Sequence, residues 1–213
     1  MATHHHPSMH RKYSFLHNFF ISKCLILTVI VFISVRLAAQ HTDSFKLWSS
    51  TNPLILKDFK HPLDSAALKA DYIFKASSLL DIKMKVPEFD KQDSVITYDI
   101  HAVFYRYLSW IYDTTRLKHE MLHFDIGEVY ARRMRRWLNI TKLDPGSYNM
   151  VKIKLNELYY DHAKYHALYD KETHTGKLPN MQLLWERNIK KQLDTLQKYD
   201  KPQGTVRFMQ RNR

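Results

Sequence analysis

The sequence predicts an α+β fold, an antiparallel sheet from the first half of the chain packed on one helix and closed by two more. Three observations carry that expectation. Between Asp43 and about Trp110 the chain is rich in short β-branched and aromatic segments with two-residue alternation. After Thr114 the apolar spacing changes to three and four residues, in long stretches separated by turn signals. The first of those stretches opens on His119-Glu120-Met121-Leu122-His123, a pattern whose chemistry needs a helix.

The individual elements follow from these patterns. Strands are expected over residues 71–76, 80–86 and 94–105, of which Leu80-Asp81-Ile82-Lys83-Met84-Lys85-Val86 alternates most cleanly, as a half-buried strand should. Helices are expected over 117–140, 148–169 and 180–199, the first two separated by the turn Leu143-Asp144-Pro145-Gly146. Beyond Lys201, Pro202 and Gly204 and the cations Arg207, Arg211 and Arg213 suggest a basic flexible tail over 201–213.

The first forty residues have the three parts of an export signal: His10-Arg11-Lys12, an apolar run from Cys24 to Val35, and Leu37-Ala38-Ala39-Gln40. Cleavage near Ala39 or Gln40 is the expectation, because the uninterrupted apolar core falls short of the ~20 residues that span a bilayer. Retention as an N-terminal anchor is the alternative, and it would be the chain's only link to a membrane. His4, His5 and His6 would leave with the signal. Cys24, the one cysteine, lies in this segment, so the remainder, residues 41–200 with the tail, can form no internal disulfide. Lys23 stands where a lipid-attachment signal would have a small residue.

The chain holds 33 Lys and Arg against 21 Asp and Glu, a net charge of +12, of which four cations belong to the export segment. The remaining excess is spread out, with no interleaving of aromatic and basic residues on an expected strand. No specific nucleic-acid partner is implied. The cluster Arg132, Arg133, Arg135 and Arg136 reads as the solvated end of a helix, where cations meet the negative pole of the dipole.

His119 and His123, four residues apart, project from one side of a helix at about 40° to each other and can share one ion, with Glu120 beside them. That is the arrangement of a hydrolytic zinc site, in which two imidazoles and a third ligand hold Zn2+ and a carboxylate serves as general base. The third ligand is open. Glu128, nine residues after His119, and Asp125 both face away on a continuous helix, and Arg132 is the natural partner of Glu128. Gly127 would have to bend the helix for that to change.

Downstream, Glu157, Asp161, His162, His166, Asp170, Glu172 and His174 offer ligand chemistry. Asp161, His162 and His166 read as exposed positions of a helix. His174, in the loop from Tyr169 to Gly176, is the expected third ligand, with Asp170 as the rival ligand or as the acceptor that orients it. Tyr169, beside that loop, is the expected oxyanion donor. Tyr159, Tyr160 and Tyr165 read as core or amphipathic surface. Asp99 and His101 fall on a strand just before the motif, where an extended substrate could pair.

Over most of residues 47 to 199 the chain resembles a family of exported zinc-dependent peptidases of uncharacterised function from Bacteroidetes, marked by an HExxH helix. The resemblance lies in Leu117 to Arg132, in Leu56-Lys57-Asp58-Phe59-Lys60, and in Tyr169-Asp170-Lys171-Glu172-Thr173 followed by Trp185 and Ile189. It implies a zincin-like fold and carries the roles of His119, Glu120 and His123. The family pattern Tyr-Asp-x-x-Thr-x-His-Gly is met at Tyr169, Asp170, Thr173 and Gly176, but Thr175 occupies the histidine position and His174 stands one residue early.

The expected function is an exported metallopeptidase, periplasmic or extracellular, that takes a peptide or protein substrate. The same zinc chemistry would serve an amidase or esterase. The displaced histidine supports an alternative from another class, a non-enzymatic cell-envelope interaction protein that keeps the scaffold and has lost the site.

Overall fold

The computed structural model describes residues 43–62, 76–87, 89 and 95–209. The expected export segment and most of the expected strand at 71–76 lie outside them. The chain divides into two units, Met1–Ser44 and Phe45–Arg213, and the second holds the elements that follow. Its strands are β1 (Phe45–Leu47), β2 (Ala76–Ser77), β3 (Leu80–Lys85), β4 (Val95–Tyr105), β5 (Trp110–Ile111) and β6 (Gln203–Arg207). Its helices are α1 (Leu117–Ile140), α2 (Tyr148–Thr173) and α3 (Pro179–Thr195). Among the described residues no helix is long and apolar enough to cross a membrane.

The architecture is α+β, as expected, and among the described residues it has a small antiparallel sheet and three α-helices. β4 is its axis. β3 pairs along one side of β4, from Leu80 opposite Phe104 to Lys85 opposite Asp99. β1 and β6 pair with β4 on the other side, β1 opposite residues 103–105 and β6 opposite 95–99. A separate ribbon joins β2 to β5, Ala76 opposite Ile111. β4 is thus covered on both sides, by β3 and, near its middle, by bonds from Trp48 N–H to Ala102 O and from Ile100 N–H to Pro202 O. This corrects the expectation that substrate could pair at Asp99 and His101. Among the described strands the exposed edge by the motif belongs to β3.

α1 lies on this sheet because its apolar stripe, Leu122, Ile126, Val129, Met134 and Leu138, is buried with Ile82, Ile96 and Ile100. Gly127 sets the closeness of that contact, since a Cβ there would stand 3.4 Å from the Ala102 side chain and 3.8 Å from His162 Nε2. The glycine does not interrupt the helix. α2 and α3 cover the remaining flank of α1 through Leu155, Tyr169, Trp185 and Ile189. Pro179 opens α3 at the first helical position, where its missing N–H costs no bond.

Two expectations are corrected here. The described part of the expected tail, residues 201–209, is not free: β6 seats Val206 opposite Ile96, and Met209 N–H donates to Leu143 O at 3.1 Å. Gly204 permits this, because a Cβ there would come within 2.3 Å of the Tyr98 hydroxyl. One buried valine and one glycine are too little pattern to mark a strand in advance.

Only part of the arginine cluster is solvated: Arg136 is exposed as expected and Arg133 half-buried, but Arg132 is 3% and Arg135 0% exposed. Glu128 Oε1 accepts from Arg132 Nε at 2.9 Å and from Arg135 at 2.7 Å, and backbone carbonyls of Leu193 and Asp200 take one further donor from each. The Glu128 to Arg132 pairing is as expected; the burial of both guanidiniums depends on α3 and the residues after it. Glu128→Ala would strand two buried cations without their carboxylate. It is expected to cost about 3–5 kcal/mol of stability, read from urea unfolding.

Candidate metal centre

The 3₁₀ turn Thr114–Arg116, capped by Asp113 accepting from Thr115 N–H at 2.9 Å, leads directly into α1. His119, Glu120 and His123 therefore sit in the first turns of that helix, and all three are buried. Facing them, α2 continues one turn beyond the expected end, to Thr173. That extra turn places Asp170 on the helix rather than in a loop, and its carboxylate points at both histidines.

His119 Nε2 lies 2.9 Å from Asp170 Oδ1, His123 Nε2 lies 3.0 Å from the same oxygen, and the two imidazole nitrogens are 3.2 Å apart. Three donors thus form a nearly equilateral triangle, the arrangement of a three-ligand metal site. A tetrahedral zinc with bonds of ~2.0–2.1 Å needs donors about 3.3 Å apart, so the triangle fits the ion with an expansion of a few tenths of an ångström. Burial alone would raise the Asp170 carboxyl, but hydrogen bonds from His119 and His123 outweigh it and hold the group below the ordinary carboxylate range. Asp170 is an anion ready to meet a cation.

The triangle opens on a cleft of about 340 Å³. Its walls include Ser78 and Leu80 on the sheet side and Arg116 and Lys177 on the helical side, with Glu120 beside the donors. The Ser78 hydroxyl donates to Glu120 Oε2.

Each histidine is oriented from behind. His119 Nδ1 faces Gln182 Oε1 at 3.4 Å, and the same oxygen accepts the Tyr169 hydroxyl at 2.7 Å. The Gln182 amide nitrogen is turned to Glu186 Oε1 at 3.1 Å, which fixes the orientation of the amide. The Tyr169 ring stacks on His119 with centroids 4.5 Å apart. His123 Nδ1 lies 2.7 Å from His166 Nδ1, and His166 Nε2 lies 2.7 Å from His162 Nε2. Burial, with His123 next to His166, lowers the His166 pKa to about 2, and burial lowers that of His162 to about 4, so both rings are neutral at physiological pH.

His119, Glu120, His123 and Asp170 come together; His174 and Tyr169 do not join them in the expected roles. His174 is the left-handed cap of α2, with φ of 51°, and its side chain is exposed and outside the donor group. Its place is taken by Asp170, the rival ligand. Tyr169 is fully buried, and its hydroxyl is used by Gln182 and by His119 O at 3.3 Å. Burial also raises its pKa well above the ordinary tyrosine value, so it supports His119 from behind instead of facing the cleft. Asp125 faces away as expected, accepting the Trp48 indole N–H at 2.7 Å. Asp161 is exposed as expected, but His162 is buried and His166 half-buried, which corrects the reading of those two.

The turn after α2 serves the site in another way. His174, Thr175 and Gly176 all have positive φ, at 51°, 52° and 76°. Gly176 packs on His119, where a Cβ would stand 2.9 Å from its Cβ and Cγ. Only glycine satisfies both the backbone angle and that closeness.

The missed residues did leave a signal. His162, His166 and Asp170 follow one another at four-residue spacing, one stripe of ligand chemistry on a helix, and His162 shares a seven-residue register with the buried Leu155 and Tyr169. The chain matches no protein-family model, no curated protein and no solved structure.

Proposed function

We propose that the protein is an exported zinc-dependent metallopeptidase with a zincin-like arrangement, working in the periplasm or outside the cell. The observation that carries this reading is the convergence of His119 Nε2, His123 Nε2 and Asp170 Oδ1 beside the buried carboxylate of Glu120, in one open cleft.

Zinc held by the two histidines and Asp170 would supply a Lewis acid that lowers the pKa of water toward ~7 and polarises a carbonyl. Glu120 takes the proton of the water that attacks the scissile carbonyl and returns it to the leaving amine as the C–N bond breaks. The Ser78 hydroxyl holds Glu120 Oε2 and leaves Oε1 to exchange that proton. The exposed edge of β3, with Leu80 on the cleft wall, offers backbone groups to an extended peptide. The meeting of three donors without a loop histidine favours a competent site over a degraded one.

The test is hydrolysis of a mixed-sequence peptide library by purified protein, compared with the Glu120→Gln variant. Cleavage by wild type alone is the expected result; equal cleavage by both would overturn the mechanism, and cleavage of simple esters but no peptide would transfer the site to esterase chemistry.

A further inference from the structure

Leading away from the metal centre, three histidines from two helices form a continuous line, with His123 and the half-buried His166 on the cleft wall and His162 buried beyond them. His123 on α1 touches His166 on α2, ring centroids 4.9 Å apart, and His166 touches His162 one turn earlier, at 4.3 Å. Both nitrogen contacts are 2.7 Å, short enough that each must contain one proton and one lone pair. The line is built in. His162 is 5% exposed, Tyr130 packs edge-on against it at 5.6 Å, and Gly127 leaves room for its Nε2.

A neutral imidazole has one N–H and one lone pair, so the tautomer of one ring in such a line dictates that of the next. Two chains of bonds are possible, and they run in opposite directions. Without a cation, His123 Nε2 can donate to Asp170 Oδ1, 3.0 Å away. His123 Nδ1 then accepts from His166 Nδ1–H, and His166 Nε2 accepts from His162 Nε2–H. With a cation at the centre, His123 Nε2 must offer its lone pair. His123 Nδ1–H then donates to His166, His166 Nε2–H donates to His162, and His162 carries its proton on Nδ1.

We propose that His162 and His166 form a tautomeric relay that reverses when zinc binds, holding His123 in the metal-binding tautomer. This rests on the zinc reading above. The reversal balances: a proton leaves His123 Nε2 for solvent, each contact passes one proton toward His123, and one proton from solvent enters at His162 Nδ1. The number of protons shared by the three rings does not change. His166 is a positioning residue, acting on the ion only through His123, and outer partners of this kind commonly affect metal affinity by ~10–100-fold.

The experiment uses the full chain with ¹⁵N-labelled histidine, recording long-range ¹H–¹⁵N spectra with and without zinc, together with zinc affinity by chelator competition. Wild type is expected to show His123, His166 and His162 changing tautomer together on addition of one equivalent of zinc. His166→Phe, which fills the space without an acceptor, is expected to bind zinc ~10–100-fold more weakly, and His166→Gln, whose amide oxygen can accept from His123, to recover most of that loss. Circular dichroism and melting curves establish that the variants are folded. Zinc binding without a change at His166 and His162, or undiminished affinity in folded His166→Phe, would overturn the relay while leaving the metal reading intact. A second zinc per chain that disappears in His162→Phe would also overturn it, by making the line a ligand set. No zinc in wild type would overturn the metal reading itself, and the relay with it.

Discussion

Glu120→Gln is expected to lower peptide hydrolysis by about 10²–10⁴-fold while leaving one zinc per chain in place. The carboxylate stands beside the donor triangle and not in it, so its loss removes a proton acceptor and no ligand. Glutamine keeps an oxygen where the Ser78 hydroxyl donates, which holds the side chain on the cleft wall. The amide cannot take a proton from water at neutral pH, so kcat should fall far more than KM rises. Loss of zinc along with activity would contradict this account, because it would make Glu120 a ligand.

Asp170→Ala is expected to abolish stoichiometric zinc binding, and His174→Ala to leave it unchanged. Asp170 Oδ1 contacts both histidine nitrogens, at 2.9 and 3.0 Å, and it brings the negative charge of the triangle. Two imidazoles remain without it. The loss should exceed the ~10–100-fold that removal of an outer partner costs. The His174 side chain is exposed at the end of α2, so removing it takes nothing from the ion. Zinc affinity of both variants, measured by chelator competition, checks the pair; zinc lost in His174→Ala and kept in Asp170→Ala would return the third ligand to the loop.

The same two residues explain what could be read in the sequence and what could not. α1 has the bounds its periodicity predicts, Leu117–Ile140, because a long amphipathic stripe is a local signal. His119, Glu120 and His123 came with it, since their geometry is set by one helix. Asp170 was placed in a loop because the end of α2 was set one turn too early, at Tyr169. Helix ends depend on capping, and here the cap is two non-glycine residues in left-handed conformation, His174 and Thr175, which propensity disfavours by about 1–2 kcal/mol each. Once α2 runs to Thr173, the spacing of His162, His166 and Asp170 turns separate ligand-type residues into one stripe.

Arg132 was legible as the partner of Glu128, but Arg135 was not, and neither was legible as buried. The burial of a guanidinium is decided by where distant carbonyls fall, here those of Leu193 and Asp200, and no local pattern announces that. The β6 segment is a similar case. Gly204, read as part of a flexible tail, is in fact the place where Tyr98 passes over the strand, a contact between residues far apart in the chain.

His119, His123 and Asp170 are expected to bind one zinc ion. The most direct measurement is diffraction from zinc-loaded crystals at energies on either side of the zinc absorption edge. One anomalous peak is expected, ~2.0–2.2 Å from His119 Nε2, His123 Nε2 and an oxygen of Asp170, with Glu120 beside it and unbound. A peak coordinated by His174, or no peak at the triangle in fully loaded crystals, would contradict it.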